Sequence, residues 1–404
     1  MRTFKFKFDF YTLLILIALF FSHDTLLFGI NSSEICITIR KVVPFILLFV
    51  LSVNFIRKPE LGKKDLLAII SLIVLLLASC VINDEEIANY IYRLIIILDA
   101  FLLVLLNINV MEKYTSIMYF LSCYSLPFFV CINLFKNILS YMPMVTTYIG
   151  QIYVHAIFFV APLQGTSLYS FIRNHGIFRE PGVFMLLLVV AVLYEFTKCK
   201  LDTRKIIVFI ATILSTGSTA GLIILTAIFM VFCIKTKGVR YKKLVLFMIA
   251  FIGVLALLYF GETAFSGKFT YGSNSYGSFY ARFSSIITNI EIAASNPFFG
   301  CGRYNLYNTV LNNDFYYQAI DNTNSILICY AAFGIPFGLV CTYGIFRFIS
   351  IREYNSSIVL FKFIIISTAL SNEDIGQNIV FYIMIFLGIH YSTISNNEKA
   401  LIEV

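Results

Sequence analysis

Arg173-Asn174-His175-Gly176-Ile177-Phe178-Arg179-Glu180-Pro181-Gly182 packs two arginines, a histidine and a glutamate into one short stretch between long apolar runs. Arginine suits phosphate: its planar fork donates two parallel hydrogen bonds and stays charged at any relevant pH. A carboxylate beside such cations stays ionised and can take a proton from a hydroxyl within reach. Arg173 and Arg179 with Glu180 therefore read as a phosphate clamp with a base. They read equally as an ion pair between Glu180 and either arginine that fixes the loop.

A second polar region carries Arg282 in Ser278-Phe279-Tyr280-Ala281-Arg282-Phe283, then Asn296-Pro297-Phe298-Phe299-Gly300-Cys301-Gly302, then Asp321-Asn322-Thr323-Asn324-Ser325. It is dense in tyrosine, Tyr280 among them, which offers sugars an apolar face and a polar tip. In a chain without tryptophan, the same tyrosines serve as well for an interfacial belt. Asp99 lies within an apolar run with Arg93 nearer its end. Such charges are candidates for function or for helix-to-helix pairing. His23, His155 and His390 are isolated, and the nine cysteines form no CxxC pair, so neither a metal site nor a disulfide framework is indicated.

The elements that must position these residues are membrane helices. The chain of 404 residues is 59% hydrophobic and only 13% charged, about half the charge of a soluble chain. Apolar runs at 66–82, 114–135, 244–260 and 324–346 each reach the ~17 residues a helix needs to cross a bilayer. Their continuity excludes a transmembrane barrel. The run near 10–21 follows Arg2, Lys5 and Lys7 without a small-residue cleavage site, and reads as an uncleaved first span.

Most of the thirty basic residues fall in short segments assigned to one side, such as Arg57 to Lys64, Lys198 to Lys205 and Lys235 to Lys243. That is the positive-inside bias of a bundle, so the net charge of +8 does not indicate nucleic acid. The predicted fold is all-α, a polytopic helical bundle of about twelve spans with both termini in the cytoplasm and two large outer loops. It divides into a five-span region at 1–135, a first outer loop at 136–181, a four-span region at 182–260, a second outer loop at 261–323 and a three-span region at 324–404. Within this scheme, 10–30, 324–346, 357–370 and 376–393 are single spans. Ile152 to Leu163 is too short to cross and reads as interfacial or re-entrant. Residues 206–234 form a hairpin of two short helices broken at Ser215-Thr216-Gly217-Ser218-Thr219-Ala220-Gly221, and the Gly334–Pro336–Gly338 spacing marks helix packing with a kink.

Arg173-x-x-Gly176-x-Phe178-x-Glu180-Pro181 resembles the outer-loop signature of the O-antigen and capsule repeat-unit polymerases, the Wzy family, and their relatives the O-antigen ligases. The Ser215–Gly221 segment looks like the family's serine-rich helix break. Arg282 followed by Pro297-x-x-Gly300-x-Gly302 looks like its second-loop arginine and turn. Thr323-Asn324-x-x-Leu327 before Gly334 and Gly338 looks like its His-Asn-x-x-Leu segment. Thr323 stands where the family has histidine, on which ligases depend, and this favours a polymerase.

The resemblance implies a multi-pass enzyme of the inner membrane, without cofactor or metal. Such an enzyme transfers a growing glycan from undecaprenyl diphosphate to a sugar hydroxyl of the next lipid-linked repeat. Arg173, Arg179 and Arg282 would contact the diphosphate, Glu180 or Asp321 would act as base or orient the acceptor, and Asn324, Ser215, Ser218 and Tyr280 would contact substrate. The implied partners are the undecaprenyl-diphosphate-linked oligosaccharide, membrane lipid, and a chain-length regulator and flippase of the same pathway. A ligase, or a transporter of the same lipid-linked sugars, is the alternative. A transporter would concentrate charge along an intramembrane path.

Overall fold

A computed structural model describes residues 9–56, 61–106, 109–163, 172–198, 201–235, 274–311 and 322–402. The expected span at 242–260 and, within the second outer loop, residues 261–273 and 312–321, Asp321 among them, lie outside the described residues. The protein is mostly helical. Among the described residues, four helices are long and apolar enough to cross a membrane: α3 (Glu34–Ile56), α4 (Lys63–Ile82), α5 (Ile87–Leu106) and α6 (Val110–Leu134). Their outward surfaces are apolar, as Phe45, Ile46, Phe49 and Ile56 of α3 illustrate. Contiguous exposed apolar surface of this kind marks a membrane or protein interface, and on a helix of spanning length it is the surface of a membrane-embedded protein.

The chain packs as two compact units. The first draws on Met1–Ile69, Ile91–Ser218 and Gln377–Val404, and the second on Ile70–Tyr90 and Thr219–Gly376. In the first unit α7 (Pro181–Glu195) is buried at every position, which its uninterrupted apolar sequence allows and only a central helix satisfies. Pro181 at its first turn loses no hydrogen bond there, since that N–H has no intrahelical partner. It packs against α6 and against α8 (Thr203–Ser215), whose start is capped by Asp202.

Two expectations for this unit change. The run 10–30 is not one span: α1 (Phe10–Phe20) ends in a turn that holds Asp24, and a single helical turn, α2 (Leu26–Gly29), follows. The fold is also not purely helical. Residues 144–162 form a three-stranded antiparallel sheet, β1 (Met144–Thr146), β2 (Ile152–Ala156) and β3 (Phe159–Pro162), in that order. Val154, Phe159 and Ala161 pack with Ile132, Leu139 and Ile172, while Tyr153 and Val160 pack with Leu26 and Ile30. Both faces of the hairpin are apolar for that reason, and its sequence reads as a continuous run rather than an alternation.

The second unit contains α9 (Thr219–Lys235), α10 (Asn274–Ser295), α11 (Arg303–Leu311), α12 (Ser325–Phe333), α13 (Ile335–Ile349) and α14 (Ser356–Leu370). The helix break between α8 and α9 falls at 216–218, as expected. The described part of 261–323 is largely helical rather than open loop. The run 324–346 is two helices, not one span. Gly334 at φ 90° ends α12, and α13 turns back so that Tyr330 touches Gly338 and its hydroxyl lies 2.9 Å from that of Thr342.

That turn is held from outside. Cys301 and Gly302 donate their N–H groups to the Ala331 and Ala332 carbonyls at 2.9 and 3.0 Å, and Ile335 donates to Pro297 at 2.7 Å. These bonds satisfy the carbonyls a helix end leaves open. The segments expected as spans at 357–370 and 376–393 are helical, as α14 and, in the first unit, α15 (Ile379–Ile402).

Candidate functional site

The Arg173–Glu180 stretch is a fixed loop built on hydrogen bonds to four neighbouring segments of the first unit. Asn133 of α6 exchanges two 2.9 Å bonds with the Ile172 backbone. Asn174, fully buried, donates to the hydroxyls of Ser125 and Ser215 at 3.1 and 2.9 Å and accepts from Gly176 N. Gly176 has a φ of 56°, and a Cβ there would stand 2.9 Å from the Phe184 ring. Its carbonyl accepts from Val160 of β3 at 2.8 Å, Ile177 accepts from Leu26 at 3.0 Å, and Arg179 N donates to the Asp24 carbonyl at 2.8 Å.

Within this frame the charged groups separate. Arg173 is exposed, with Nε 2.7 Å from the Thr216 carbonyl at the end of α8, where the helix dipole favours a cation. Arg179 is half-buried between two acids, Glu180 at 3.2 Å and Asp24 at 3.5 Å. Glu180 is the residue before α7 and is exposed, and its side chain makes no capping bond to the helix. Its carboxylate helps hold the Tyr153 phenol above the usual tyrosine range, after burial as the main cause. His175 is buried beside Tyr153, ring centroids 5.9 Å apart. Burial, and secondly the Arg173 charge, push its pKa down to about 3, so the imidazole is neutral at physiological pH.

The structure thus brings Arg173, Arg179, Glu180 and Ser215 together in one unit. Ser215 is committed to the frame, accepting from Asn174 and donating to the Thr212 carbonyl at 2.7 Å. Ser218 follows, half-buried, beyond Gly217. Asp24 is a component that sequence reasoning missed. It binds Arg179 through one oxygen and accepts from Asn378 through the other at 2.7 Å. The signal was present, since His23-Asp24 interrupts an apolar run, and a charge within such a run is costly enough to need a purpose.

In the second unit Arg282, Ser285 and Asn289 lie along one side of α10, by their three- and four-residue spacing. The Ser285 hydroxyl is 3.5 Å from that of Thr323, and Asn289 and Asn322 exchange amide hydrogen bonds at 2.8 and 3.0 Å. The side of α10 that carries Arg282 therefore adjoins the Asn322-Thr323 segment through Ser285 and Asn289, and Tyr280 sits half-buried at the same end of α10. Asn324 caps α12, accepting from Leu327 N at 2.8 Å. The Pro297-x-x-Gly300-x-Gly302 turn is the clasp on α12 described above. Glu85 accepts from the N–H groups of Arg303 and Asn305 at 3.0 and 2.7 Å, and so caps α11.

Arg93 and Asp99 are both buried. Asp99 forms no ion pair and its oxygens accept no hydrogen bond among the described residues, so the pairing considered for it is not found there. Among the described residues no group of three or more His, Cys, Asp or Glu side chains is placed to hold a metal. No protein-family model matches the chain, and no curated protein matches it.

Proposed function

We propose that the protein is a polysaccharide polymerase of the inner membrane, joining repeat units carried on undecaprenyl diphosphate at the outer leaflet. One observation carries the reading: Arg173, Arg179 and Glu180 are presented by a loop that is hydrogen-bonded to four neighbouring segments and leads into the N-terminus of a fully buried helix. Catalysis of this transfer needs preorganised positive charge where negative charge develops, and both guanidinium groups and the helix N-terminus supply it.

In the transfer, the acceptor hydroxyl attacks the anomeric carbon of the donor. The bond from that carbon to the phosphate oxygen breaks, and the diphosphate leaves with its charge met by Arg173 and Arg179. Glu180, exposed and beside Arg179, takes the hydroxyl proton. Arg282 is assigned a further phosphate contact, with Asp321 as an alternative base or acceptor orienter and Ser218, Tyr280 and the Asn324 amide NH2, whose oxygen caps α12, as sugar contacts. Thr323 in the histidine's place favours polymerase over ligase. In this reading the asymmetry of the basic loops puts these groups on the outer side.

Deletion of the gene, followed by a gel of surface polysaccharide, tests the reading. Loss of a polymerase leaves lipid A core capped by one repeat. A core with no repeat identifies a ligase, and repeats trapped inside the cell identify a transporter. Alkaline phosphatase fusions after Glu86 and Tyr276 are expected to be active, and those after Lys64 and Lys237 silent. An inactive Tyr276 fusion overturns the outer second loop.

A further inference from the structure

Phe158, in the turn between β2 and β3, stacks edge-on against Phe120 and Tyr124 of α6, ring centroids 5.3 and 5.6 Å apart. Those residues bracket the middle of α6, whose bounds are Val110–Leu134. At about 1.5 Å per residue, Tyr124 lies ~15 Å along the helix from Leu134. A helix of this length and apolarity matches a bilayer core of about 30 Å. A turn packed on its middle therefore reaches the middle of the bilayer.

Ile157, beside Phe158, is 67% exposed, which hydrocarbon favours and water does not. Above the turn the contacts climb α6 in order: Phe159 stacks on Phe128 at 5.5 Å, and Ile172 bonds to Asn133. The other end of β2 carries Tyr148, Ile149 and Gln151, all exposed, about 20 Å from Ile157 at ~3.3 Å per residue. Tyrosine there suits the headgroup level.

Non-helical backbone survives in a membrane only where its polar groups are satisfied. Here β2 pairs with β3 from Tyr153 to Ala156 and with β1 from Ile152 to Val154, and His155 N donates to the Pro143 carbonyl at 3.0 Å. β3 bonds outward through Val160 N to Gly176, and β1 accepts at Thr146 from Ser32 N at 3.1 Å, so each outer edge bonds to neighbouring chain.

We propose that the β2–β3 hairpin inserts end-on into the leaflet at which Leu134 lies. Its tip stands among lipid acyl chains near the bilayer centre, and the turn at 147–151 stands among headgroups. This insertion does not depend on the transfer chemistry.

The chain has no tryptophan, so one introduced residue reports alone. Ile157→Trp, Gln151→Trp and, as a lipid-facing reference on α3, Phe49→Trp are reconstituted in bilayers brominated near mid-chain, with iodide as aqueous quencher. Ile157→Trp is expected to lose fluorescence to bromine as Phe49→Trp does and to resist iodide, while Gln151→Trp shows the reverse. Equal, shallow quenching at Ile157 and Gln151 overturns end-on insertion in favour of a hairpin lying flat. Iodide quenching at Ile157 places it in water and overturns insertion altogether. Site-mapped labelling by an impermeant maleimide repeats the test without a bulky ring: Gln151→Cys is expected to react and Ile157→Cys to be protected, and the opposite order overturns the proposal.

Discussion

The Arg179 guanidinium lies 3.5 Å from the Asp24 carboxylate, whose second oxygen accepts a hydrogen bond from Asn378. The acid is almost wholly buried, whereas Glu180, the other acid beside Arg179, is half exposed. Removing one partner of a buried pair costs far more than removing an exposed one. Asp24→Asn is therefore expected to cost about 2 kcal/mol of stability, read as a lower unfolding temperature in detergent and less protein in the membrane.

Glu180→Gln is expected to leave abundance within the range of a surface change, about 0.5 kcal/mol, and to stop the polymer at one repeat. Normal polymer from this variant would remove Glu180 as the base.

Arg173→Lys keeps the charge but loses the fork and the bond from Nε to the Thr216 carbonyl. The expected result is a ~100-fold slower transfer at near-normal protein level. Wild-type chain lengths from Arg173→Lys, Arg179→Lys and Arg282→Lys together would reduce both regions to scaffolding.

His175 gives a pH signature. Its folded pKa, about 3, is below the unfolded value near 6.5, so the unfolded chain binds the extra proton between these values. Stability is full above about pH 6.5 and falls as pH drops toward 3, by about 2 kcal/mol at pH 5. Unfolding measured from pH 7.5 to 5 is expected to show this loss, and His175→Leu to flatten it.

Gly334→Ala and Gly150→Ala separate strain from collision. Both positions have positive φ, but a Cβ on Gly150 meets nothing within 4 Å, whereas one on Gly334 stands 2.2 Å from the Phe298 carbonyl oxygen. The first is expected to cost about 1 kcal/mol. The second is expected to cost about 3 kcal/mol or more, because the clasp must also part; thermal unfolding of the two variants gives the comparison.

The sequence carries the arginine loop and the Ser215–Gly221 break openly, because charge, serine and glycine in an apolar chain have few uses. It hides the rest where one composition serves two shapes. Residues 152–163 are apolar on both faces of a hairpin, which leaves no alternation to betray strands. Gly334-Ile335-Pro336 reads as a kink within a span, and only the turn at 296–302, distant in sequence, makes it a reversal. Asp24 stands with Ser22, His23 and Thr25 as a polar break in an apolar run, and its meaning appears only when Arg179 and Asn378 arrive. In the candidate site, Ser215 and Asn324 look like substrate contacts by type. Both oxygens are spent on backbone or loop groups that no spacing rule would reveal.

Because α7 has no face turned away from its neighbours, none of its fifteen positions can change size without another residue yielding. Drift along this helix is then governed by volume rather than identity. A methyl group lost from Val189 or Leu186 must be returned by α6 or α8, and variants weakened in α7 should recover through second changes on those helices.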